Sequence, residues 1–402
     1  MKNKKLIHGR RQFISSLGIA GFAGLMPFPF FSKLPYEVSQ AETGVLKAGP
    51  YLQYSVKDYI TVRWLTNKQC FSWVEYGEGK NNLIKKAMTI NAGLVESYNT
   101  IHAINLEGLE SGKEYYYRIC SKEIEKFDPY NVVYGEVYKS EIYSFQLACS
   151  DDDISFFVFN DIHDRPASFA QLMQSPGNEN ADFIFFNGDI FNHMEDEEQI
   201  VENLLAPFSG ISEKTPLVFS RGNHETRGKF ARHLEKYFNH GNNGFYFSFQ
   251  VGPVYCMVLD SGEDKSDNSP VYAGLVDFDA YRLSQREWLK NEIQKKKFKK
   301  AKYKIVFSHI PLFYSNDWHG PLHCREAWAD VLNKAGIDLM VCGHTHKPGI
   351  HPKVENLHNY PIVIGGGPKV GNRTIMKIEA NKNVLQLVIY KDNGEKIDEL
   401  TI

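Results

Sequence analysis

Apolar and polar residues alternate with a period of two through residues 47–146. Ile60–Trp64, Trp73–Tyr76 and Glu114–Ile119 follow this pattern, which is typical of half-buried β-strands. Turn residues separate the strands, and no amphipathic stretch long enough for a helix intervenes. The pattern predicts an all-β sandwich over residues 42–148.

The pattern changes after the acidic triplet Asp151-Asp152-Asp153. Continuous apolar runs of strand length now end in polar loops, and helical patterns separate them. These runs are Ile154–Phe159, Phe183–Phe186, Leu217–Phe219, Tyr303–Phe307 and Leu339–Cys342. The capping-box sequence from Ser284 to Glu287 predicts a helix that begins there and turns Trp288, Leu289 and Ile293 inward. Alternating strands and helices predict an α/β layered domain over residues 149–402.

The N-terminus has the order of features found in an export signal. Five basic residues occur before Gln12, and residues 13–31 carry no charge. Gly9–Ile14, which contains Arg10 and Arg11, resembles the twin-arginine export motif. Cleavage after Ala41, at Ser39-Gln40-Ala41, would remove a signal peptide of residues 1–41 and leave an exported, periplasmic or extracellular protein. An uncleaved N-terminal membrane anchor is the alternative, since residues 13–31 just suffice to span a bilayer.

Composition limits the class of protein further. The 402 residues are 43% hydrophobic and 23% charged, with a formal net charge of −2. This balance is ordinary for globular proteins and argues against a dedicated nucleic-acid binder. The 6 cysteines form no C-x-x-C pair and are too few for a disulfide scaffold. We therefore expect a two-domain protein with no membrane contact once the signal is cleaved.

Polar groups able to bind a metal follow each of the five apolar runs. In chain order they are Asp161 and His163, Asp189, Asn223 and His224, His309, and His344 and His346. In α/β sheets, the loops beyond the carboxyl ends of the strands form the site. His344 and His346 are two residues apart, so an extended backbone would turn both imidazoles to one side. The strand ends therefore predict one site.

The number and type of these donors predict two metal ions. Nitrogen and oxygen donors without thiolate suit iron, zinc or manganese. Two divalent ions against Asp161 and Asp189 leave a surplus of positive charge, which attracts a phosphate group. Paired ions can also activate water and hold both oxygens of an in-line displacement. The predicted chemistry is hydrolysis of a phosphate ester.

The ordered series Asp-x-His, Gly-Asp, Gly-Asn-His-Glu, His and Gly-His-x-His resembles the calcineurin-like metallophosphoesterases from Ile154 to Ile378. The resemblance implies a four-layer domain with two central sheets between outer helices. It also implies one metal on Asp161, His163, Asp189 and His346, and a second on Asp189, Asn223, His309 and His344. His224 would stabilise the transition state or protonate the leaving oxygen.

A β-sandwich in front of such a domain is similar to the purple acid phosphatases, which begin with a fibronectin type III-like domain. Leu109, Gly112 and Tyr115 resemble the tyrosine corner of that domain. The purple acid phosphatases ligate ferric iron with a tyrosine three residues after the bridging aspartate, where this chain has Asn192. The serine/threonine protein phosphatases have an aspartate there that partners the catalytic histidine.

Three further residues are candidates for substrate contact. Arg221 precedes the Gly-Asn-His-Glu block, as in the protein phosphatases, and would orient phosphate or pack structurally against Glu225. Related acid phosphatases place substrate-contacting histidines in the loop after His309, where this chain has His319 and His323. We expect either histidine to contact a small phosphorylated substrate.

The sequence leaves three functions open. An exported phosphatase acting on phosphate monoesters by attack of metal-activated hydroxide is favoured, because a dianionic monoester uses the positive site better than a monoanionic diester. A phosphodiesterase or nucleotide-cleaving enzyme on the same centre is the alternative. A non-catalytic binding module is disfavoured because no metal donor is missing. The sandwich either walls the substrate cleft or mediates a homodimer.

Overall fold

A computed structural model describes residues 44–54, 59–148, 153–174, 181–241 and 244–402. The predicted signal peptide, residues 1–41, lies outside the described residues. In the described ranges, no helix is both long enough and apolar enough to cross a membrane.

The N-terminal region is entirely β-structure. Its strands are β1 (Leu46–Tyr54), β2 (Ile60–Gly77), β3 (Lys85–Ala87), β4 (Ile90–Asn91), β5 (Leu94–Val95), β6 (Ser97–Leu106), β7 (Glu114–Asp128), β8 (Asn131–Lys139) and β9 (Tyr143–Gln146). The long strand β2 pairs antiparallel with β1 and β6, and then, after a register shift between Leu65 and Cys70, with β7. The all-β prediction for this region is confirmed.

One core holds this region together. Fully buried Trp64 donates from Nε1 to Ser121 Oγ at 2.9 Å, which ties β2 to β7 inside that core. The Tyr115 hydroxyl accepts the Glu110 amide N–H at 2.8 Å, the type of bond that defines a tyrosine corner. Membership of the fibronectin type III group stays a prediction.

The rest of the chain mixes strands and helices. The strands are β10 (Ile154–Phe159), β11 (Phe183–Asn187), β12 (Leu217–Ser220), β13 (Phe247–Val251), β14 (Val254–Leu259), β15 (Tyr303–Ser308), β16 (Leu339–Cys342), β17 (Gly349–His351), β18 (Ile362–Ile364), β19 (Thr374–Ala380), β20 (Leu385–Lys391) and β21 (Lys396–Thr401). The α-helices are α1 (Ala167–Leu172), α2 (Glu197–Ile200), α3 (Phe278–Glu292), α4 (Lys296–Lys300) and α5 (His319–Ala335). Short 3-10 or π turns cover Val201–Leu205, Ala206–Phe208, His224–Thr226, Lys229–Lys236 and Pro270–Tyr272.

These strands form two mixed sheets. One has the order β21-β20-β19-β10-β11-β12 and continues into the N-terminal region through β1, while the other has the order β13-β14-β15-β16-β18-β17. Alternate residues of β10 enter different cores: Phe156 packs between the two sheets, and Phe157 packs under the outer helical segments. A third core lies between the second sheet and helices α3 to α5. The predicted four-layer arrangement is confirmed.

The two regions are joined by strand pairing and buried hydrogen bonds. Strand β1 pairs parallel with β12 at Gln53 and Leu217. The buried His240 ring donates from Nδ1 to the Tyr54 carbonyl at 2.9 Å and accepts the Phe219 amide N–H at Nε2 at 3.1 Å. The described residues from 44 to 402 consequently form one compact unit. The predicted domain boundary at 148/149 stays a prediction.

The helix predicted to begin at Ser284 begins earlier. Helix α3 covers Phe278–Glu292, and the Ser284 hydroxyl bonds back to the Ala280 carbonyl at 3.0 Å within it. The capping-box interpretation is therefore wrong, because a mid-helix serine satisfies its hydroxyl on the preceding turn. Leu289 is fully buried as expected.

Candidate metal centre

The loops after β10, β11, β12, β15 and β16 meet at one edge of the two sheets. They bring six of the seven predicted metal ligands, all but Asn223, together with His224 into three groups whose donor atoms lie within 4.8 Å of one another. The groups are Asp161, His163 and His346; His163, Asp189 and His224; and Asp189, His309 and His344. Asp189 and His163 each belong to two of them. Of the two, Asp189 carries the carboxylate that a bridging ligand requires.

Left-handed backbone, rather than extended strand, aims these side chains. The φ angles are 54° at Asp161, 53° at Asp189, 69° at His344 and 58° at His346. This conformation costs non-glycine residues free energy, and residues that adopt it cluster at functional sites. The predicted extended geometry of His344 and His346 is therefore wrong, although the two imidazoles converge as expected.

Two glycines allow the loops to approach. A Cβ at Gly188, where φ is 83°, would lie 2.6 Å from the Gly222 nitrogen. A Cβ at Gly222 would lie 2.2 Å from Asp189 Oδ1. A larger residue at either position would push the bridging aspartate out of place.

The first ligand group surrounds the Asp161 carboxylate. His346 Nε2 lies 3.0 Å from Asp161 Oδ1, and His163 Nε2 lies 3.7 Å from both Asp161 Oδ1 and Asp189 Oδ2. Asp161 Oδ2 accepts hydrogen bonds from Asn160 Nδ2 at 2.6 Å and from the His344 amide at 2.9 Å. These bonds leave Oδ1 facing the histidines.

The second group lies on the other side of Asp189. His309 Nε2 is 3.1 Å from Asp189 Oδ2, and Asn223 Oδ1 is 3.0 Å from His344 Nδ1. Asp189 Oδ2 therefore lies near both His163 Nε2 and His309 Nε2.

Two ring nitrogens in these groups are buried without a hydrogen-bond partner: His163 Nε2 and His309 Nε2. His309 donates from Nδ1 to the Asn187 carbonyl at 2.8 Å, so its Nε2, 3.1 Å from Asp189 Oδ2, is the ring nitrogen that faces the site. Histidine ligands commonly have this second hydrogen bond. The residues therefore fit a metal centre.

The charges of the site favour a cation. Burial opposes ionisation of Asp161 and Asp189, but the His309 charge, together with the hydrogen bonds and charges of the other nearby histidines, outweighs it and holds the pKa of both carboxyls well below the usual range. Burial lowers the pKa of His309, yet the two aspartates more than offset it and raise that pKa to about 10. Burial lowers the pKa of His344 to about 4 and keeps its ring neutral. The aspartates thus attract a positive charge that bound metals would supply.

Glu225 supports the ligand loops from below, a role that sequence reasoning missed. The fully buried carboxylate accepts backbone N–H groups from Asp189 at 2.9 Å, Ile190 at 2.7 Å, Phe191 at 3.0 Å and Gly222 at 2.7 Å. Burial and the nearby Asp189 charge raise its pKa to about 7. Its place directly after Asn223 and His224 was the available sequence signal.

His224 lies at the edge of the ligand groups. Its Nδ1 bonds to the Asn192 carbonyl at 2.7 Å, and its Nε2 lies 3.9 Å from Asp189 Oδ2. The backbone carbonyl of Asn192 therefore takes the orienting position that an aspartate side chain has in the protein phosphatases. The Asn192 side chain instead donates to the His163 carbonyl at 3.3 Å.

Arg227 is a second residue that the sequence did not single out. Its Nη1 lies 3.0 Å from His224 Nε2. Its Nε and Nη2 bind the buried Glu263 carboxylate at 2.7 and 2.9 Å. A bidentate pair of this kind fixes the guanidinium plane beside the imidazole.

Arg221 has different partners from those expected. Its Nε binds Asp260 Oδ2 at 2.6 Å, and the guanidinium stacks 4.7 Å from the Phe245 ring centroid. Its ion pair is with Asp260, while the Glu225 charge lies close enough to help raise the pKa of Arg221, so packing against Glu225 stays a prediction. The phosphate-orienting role of Arg221 stays a prediction.

His319 and His323 form a separate cluster with Asp279. His319 Nε2 lies 2.8 Å from Asp279 Oδ2, and His323 Nδ1 lies 3.1 Å from Asp279 Oδ1. Within the described residues, these atoms group with each other and with none of the ligands around Asp189. Their predicted contact with substrate stays a prediction.

Comparison with known proteins was made for sequence and for structure. Residues 154–348 match the calcineurin-like phosphoesterase family. The serine/threonine-protein phosphatase CPPED1 of Danio rerio is 29% identical over 177 residues, covering 41% of this chain and 54% of that protein. Purple acid phosphatase 18 of Arabidopsis thaliana is 26% identical over 349 residues, covering 78% of this chain and 69% of that protein. The chain spans about half the length of the CPPED1 proteins it matches.

The solved structure of purple acid phosphatase PPD1 from yellow lupin (Lupinus luteus) seeds has a similar fold. The TM-score is 0.67 at 17% sequence identity, and the match covers 88% of this chain and 73% of that one. The similarity includes the N-terminal β-region as well as the layered domain, because it covers most of both chains.

Proposed function

We propose that the chain is a binuclear-metal phosphatase acting on phosphate monoesters, and the match of residues 154–348 to the calcineurin-like phosphoesterase family supports this. The observation that supports this most directly is the Asp189 carboxylate, whose Oδ2 lies 3.7 Å from His163 Nε2 and 3.1 Å from His309 Nε2. A single carboxylate facing two sets of histidines is the arrangement that two adjacent ions need.

The residues divide into two ligand sets. Asp161, His163, Asp189 and His346 would hold one ion, and Asp189, Asn223, His309 and His344 would hold the other. Iron, zinc and manganese suit these nitrogen and oxygen donors. When bound, two such ions polarise a phosphoryl group and supply a nucleophile at neutral pH.

The chain's own groups complete the chemistry. The Asn192 carbonyl accepts a hydrogen bond from His224 Nδ1, so that the unprotonated Nε2 faces Arg227 at 3.0 Å and Asp189 at 3.9 Å. His224 would protonate a leaving oxygen after taking up a proton at Nε2. Arg227 adds a positive charge next to Nε2, where it would favour an anionic substrate.

The charge of the substrate distinguishes the candidate reactions. Two divalent ions against two aspartates leave a positive site, which attracts a dianionic monoester more strongly than a monoanionic diester. The test is kcat/KM for a matched monoester and diester with metal-loaded protein. Higher efficiency with the diester would replace the proposal by a phosphodiesterase or nucleotide-cleaving function, and no turnover of either would favour a binding module.

We also propose that the enzyme is exported. Support comes from Arg10 and Arg11, the uncharged residues 13–31, and the small residues around Ala41. N-terminal sequencing of protein from its native cells should begin at Glu42. A cytoplasmic protein that retains Arg10 and Arg11 would contradict export without affecting the phosphatase proposal.

A further inference from the structure

Buried histidine nitrogens without a hydrogen-bond partner are uncommon, because burial of an unsatisfied polar atom costs free energy. In the part of the chain that the structure describes, such nitrogens occur in His163, His309 and His323. The first two belong to the metal centre around Asp189. His323 lies in the separate cluster with Asp279 and His319, which the proposed function does not use as a metal site.

The three side chains of this cluster converge on one point. His319 and His323 are four residues apart on helix α5, so they lie on the same face. Their ring centroids are 5.6 Å apart and their planes differ by 11°. His319 Nε2 reaches Asp279 Oδ1 and Oδ2 at 2.9 and 2.8 Å, and His323 Nδ1 reaches Oδ1 at 3.1 Å without the direction of a hydrogen bond.

Asp279 is held in place by a buried neighbour. The fully buried Arg282 donates from Nη1 to Asp279 Oδ1 at 2.8 Å and also binds the carbonyls of Ser261 at 3.0 Å and Glu263 at 2.6 Å. Trp328 of helix α5 donates to the Arg282 carbonyl at 2.9 Å, which fixes α3 against α5. Arg282, itself fixed by these hydrogen bonds, therefore holds the Asp279 carboxylate in place. Metal-ligating carboxylates are commonly oriented by hydrogen bonds of this kind.

We propose that Asp279, His319 and His323 bind a third divalent transition-metal ion, of the Zn²⁺ class, separate from the centre around Asp189. Two imidazoles and one carboxylate form a three-ligand set that leaves a position open on zinc. His319 also lines a cavity of about 650 Å³ with Trp318 and Lys265, which gives room for water or an anion as the fourth donor. Arg282 offsets the Asp279 charge, so the site selects for nitrogen-binding ions rather than Ca²⁺ or Mg²⁺.

The test is the zinc content of the full-length protein after chelation, reloading with Zn²⁺ and dialysis. We expect about one equivalent less zinc in His323→Ala than in wild type, and the same reduction in Asp279→Asn. His233→Ala, at an exposed histidine outside these clusters, is the matched control and should keep the wild-type content. Equal zinc in wild type, His323→Ala and Asp279→Asn would overturn the proposal.

A second measurement separates this site from the proposed function. Asp189→Asn should lose zinc from the central site and still lose about one further equivalent when His323→Ala is added. In the Asp189→Asn protein, Co²⁺ bound at the site of Asp279, His319 and His323 should give a visible absorption spectrum. That absorbance should disappear when His323→Ala is added. If His323→Ala changes neither the zinc content nor the Co²⁺ spectrum, the cluster is an ion pair and binds no metal. The loss of central zinc in Asp189→Asn remains a separate test of the proposed phosphatase function.

Discussion

Glu225 lies beneath Asp189 and accepts its amide N–H at 2.9 Å. The same carboxylate accepts the Gly222 amide at 2.7 Å and thereby joins the loop of the bridging aspartate to the loop that carries Asn223 and His224. One buried side chain thus sets the distance between two metal-ligand loops that are far apart in sequence.

Replacement of Glu225 should therefore damage both stability and metal binding. Glu225→Ala leaves four buried N–H groups without an acceptor, so we expect the free energy of unfolding to fall by about 3 kcal/mol or more. Metal content should fall with it. Urea unfolding and elemental analysis test this, with exposed Glu202→Ala as the control; unchanged stability and metal content would refute the supporting role.

Arg227 should act on catalysis through His224. Burial lowers the pKa of His224, and the adjacent Arg227 charge lowers it further. Arg227→Gln should therefore raise the pKa of His224, shift the alkaline limb of the kcat profile to higher pH, and reduce kcat by about 10-fold. Arg227→Lys should restore part of the rate, while Arg232→Gln, at an exposed arginine, should have no effect. A pH profile identical to wild type would assign Arg227 a structural role only.

His240 should make stability depend on pH. Burial lowers its pKa from 6.5 to about 4, so the folded protein holds it neutral while the unfolded chain takes up a proton below pH 6.5. The stability due to the neutral ring is present above pH 6.5 and is lost as pH falls toward 4. Between pH 7 and pH 5, wild type should lose about 2 kcal/mol more than His240→Gln. Equal losses in urea unfolding would contradict this.

The colour of the iron-loaded protein tests the consequence of having Asn192 where the purple acid phosphatases have a ligating tyrosine. The purple acid phosphatases owe their colour to tyrosinate on ferric iron, and here Asn192 donates to the His163 carbonyl instead. Iron-loaded protein should lack a strong purple absorption band. A purple preparation would show that a tyrosine from elsewhere in the chain reaches the metal.

The ligand residues were predictable from sequence because parallel strands bring their carboxyl ends to one edge. The left-handed backbone at Asp161 and His344 was not predictable from sequence. It depends on how the loops pack against each other, and not on the local alternation of apolar and polar residues. Contacts between residues far apart in sequence could not be predicted either. Examples are the ion pair of Arg227 with Glu263 and the contact of His319 with Asp279. The start of α3 was missed because the Ser284 signal is local, whereas packing extends the helix to Phe278.

Asp189 would be a ligand of both catalytic metals, and the most direct measurement of this role is the metal content of Asp189→Asn with its monoester turnover. We predict a loss of bound metal together with nearly all activity. His224→Ala, in contrast, should keep the wild-type metal content and lose about 10²- to 10⁴-fold in kcat. An Asp189→Asn protein with full metal content and near-normal turnover, or a His224→Ala protein emptied of metal, would contradict the account.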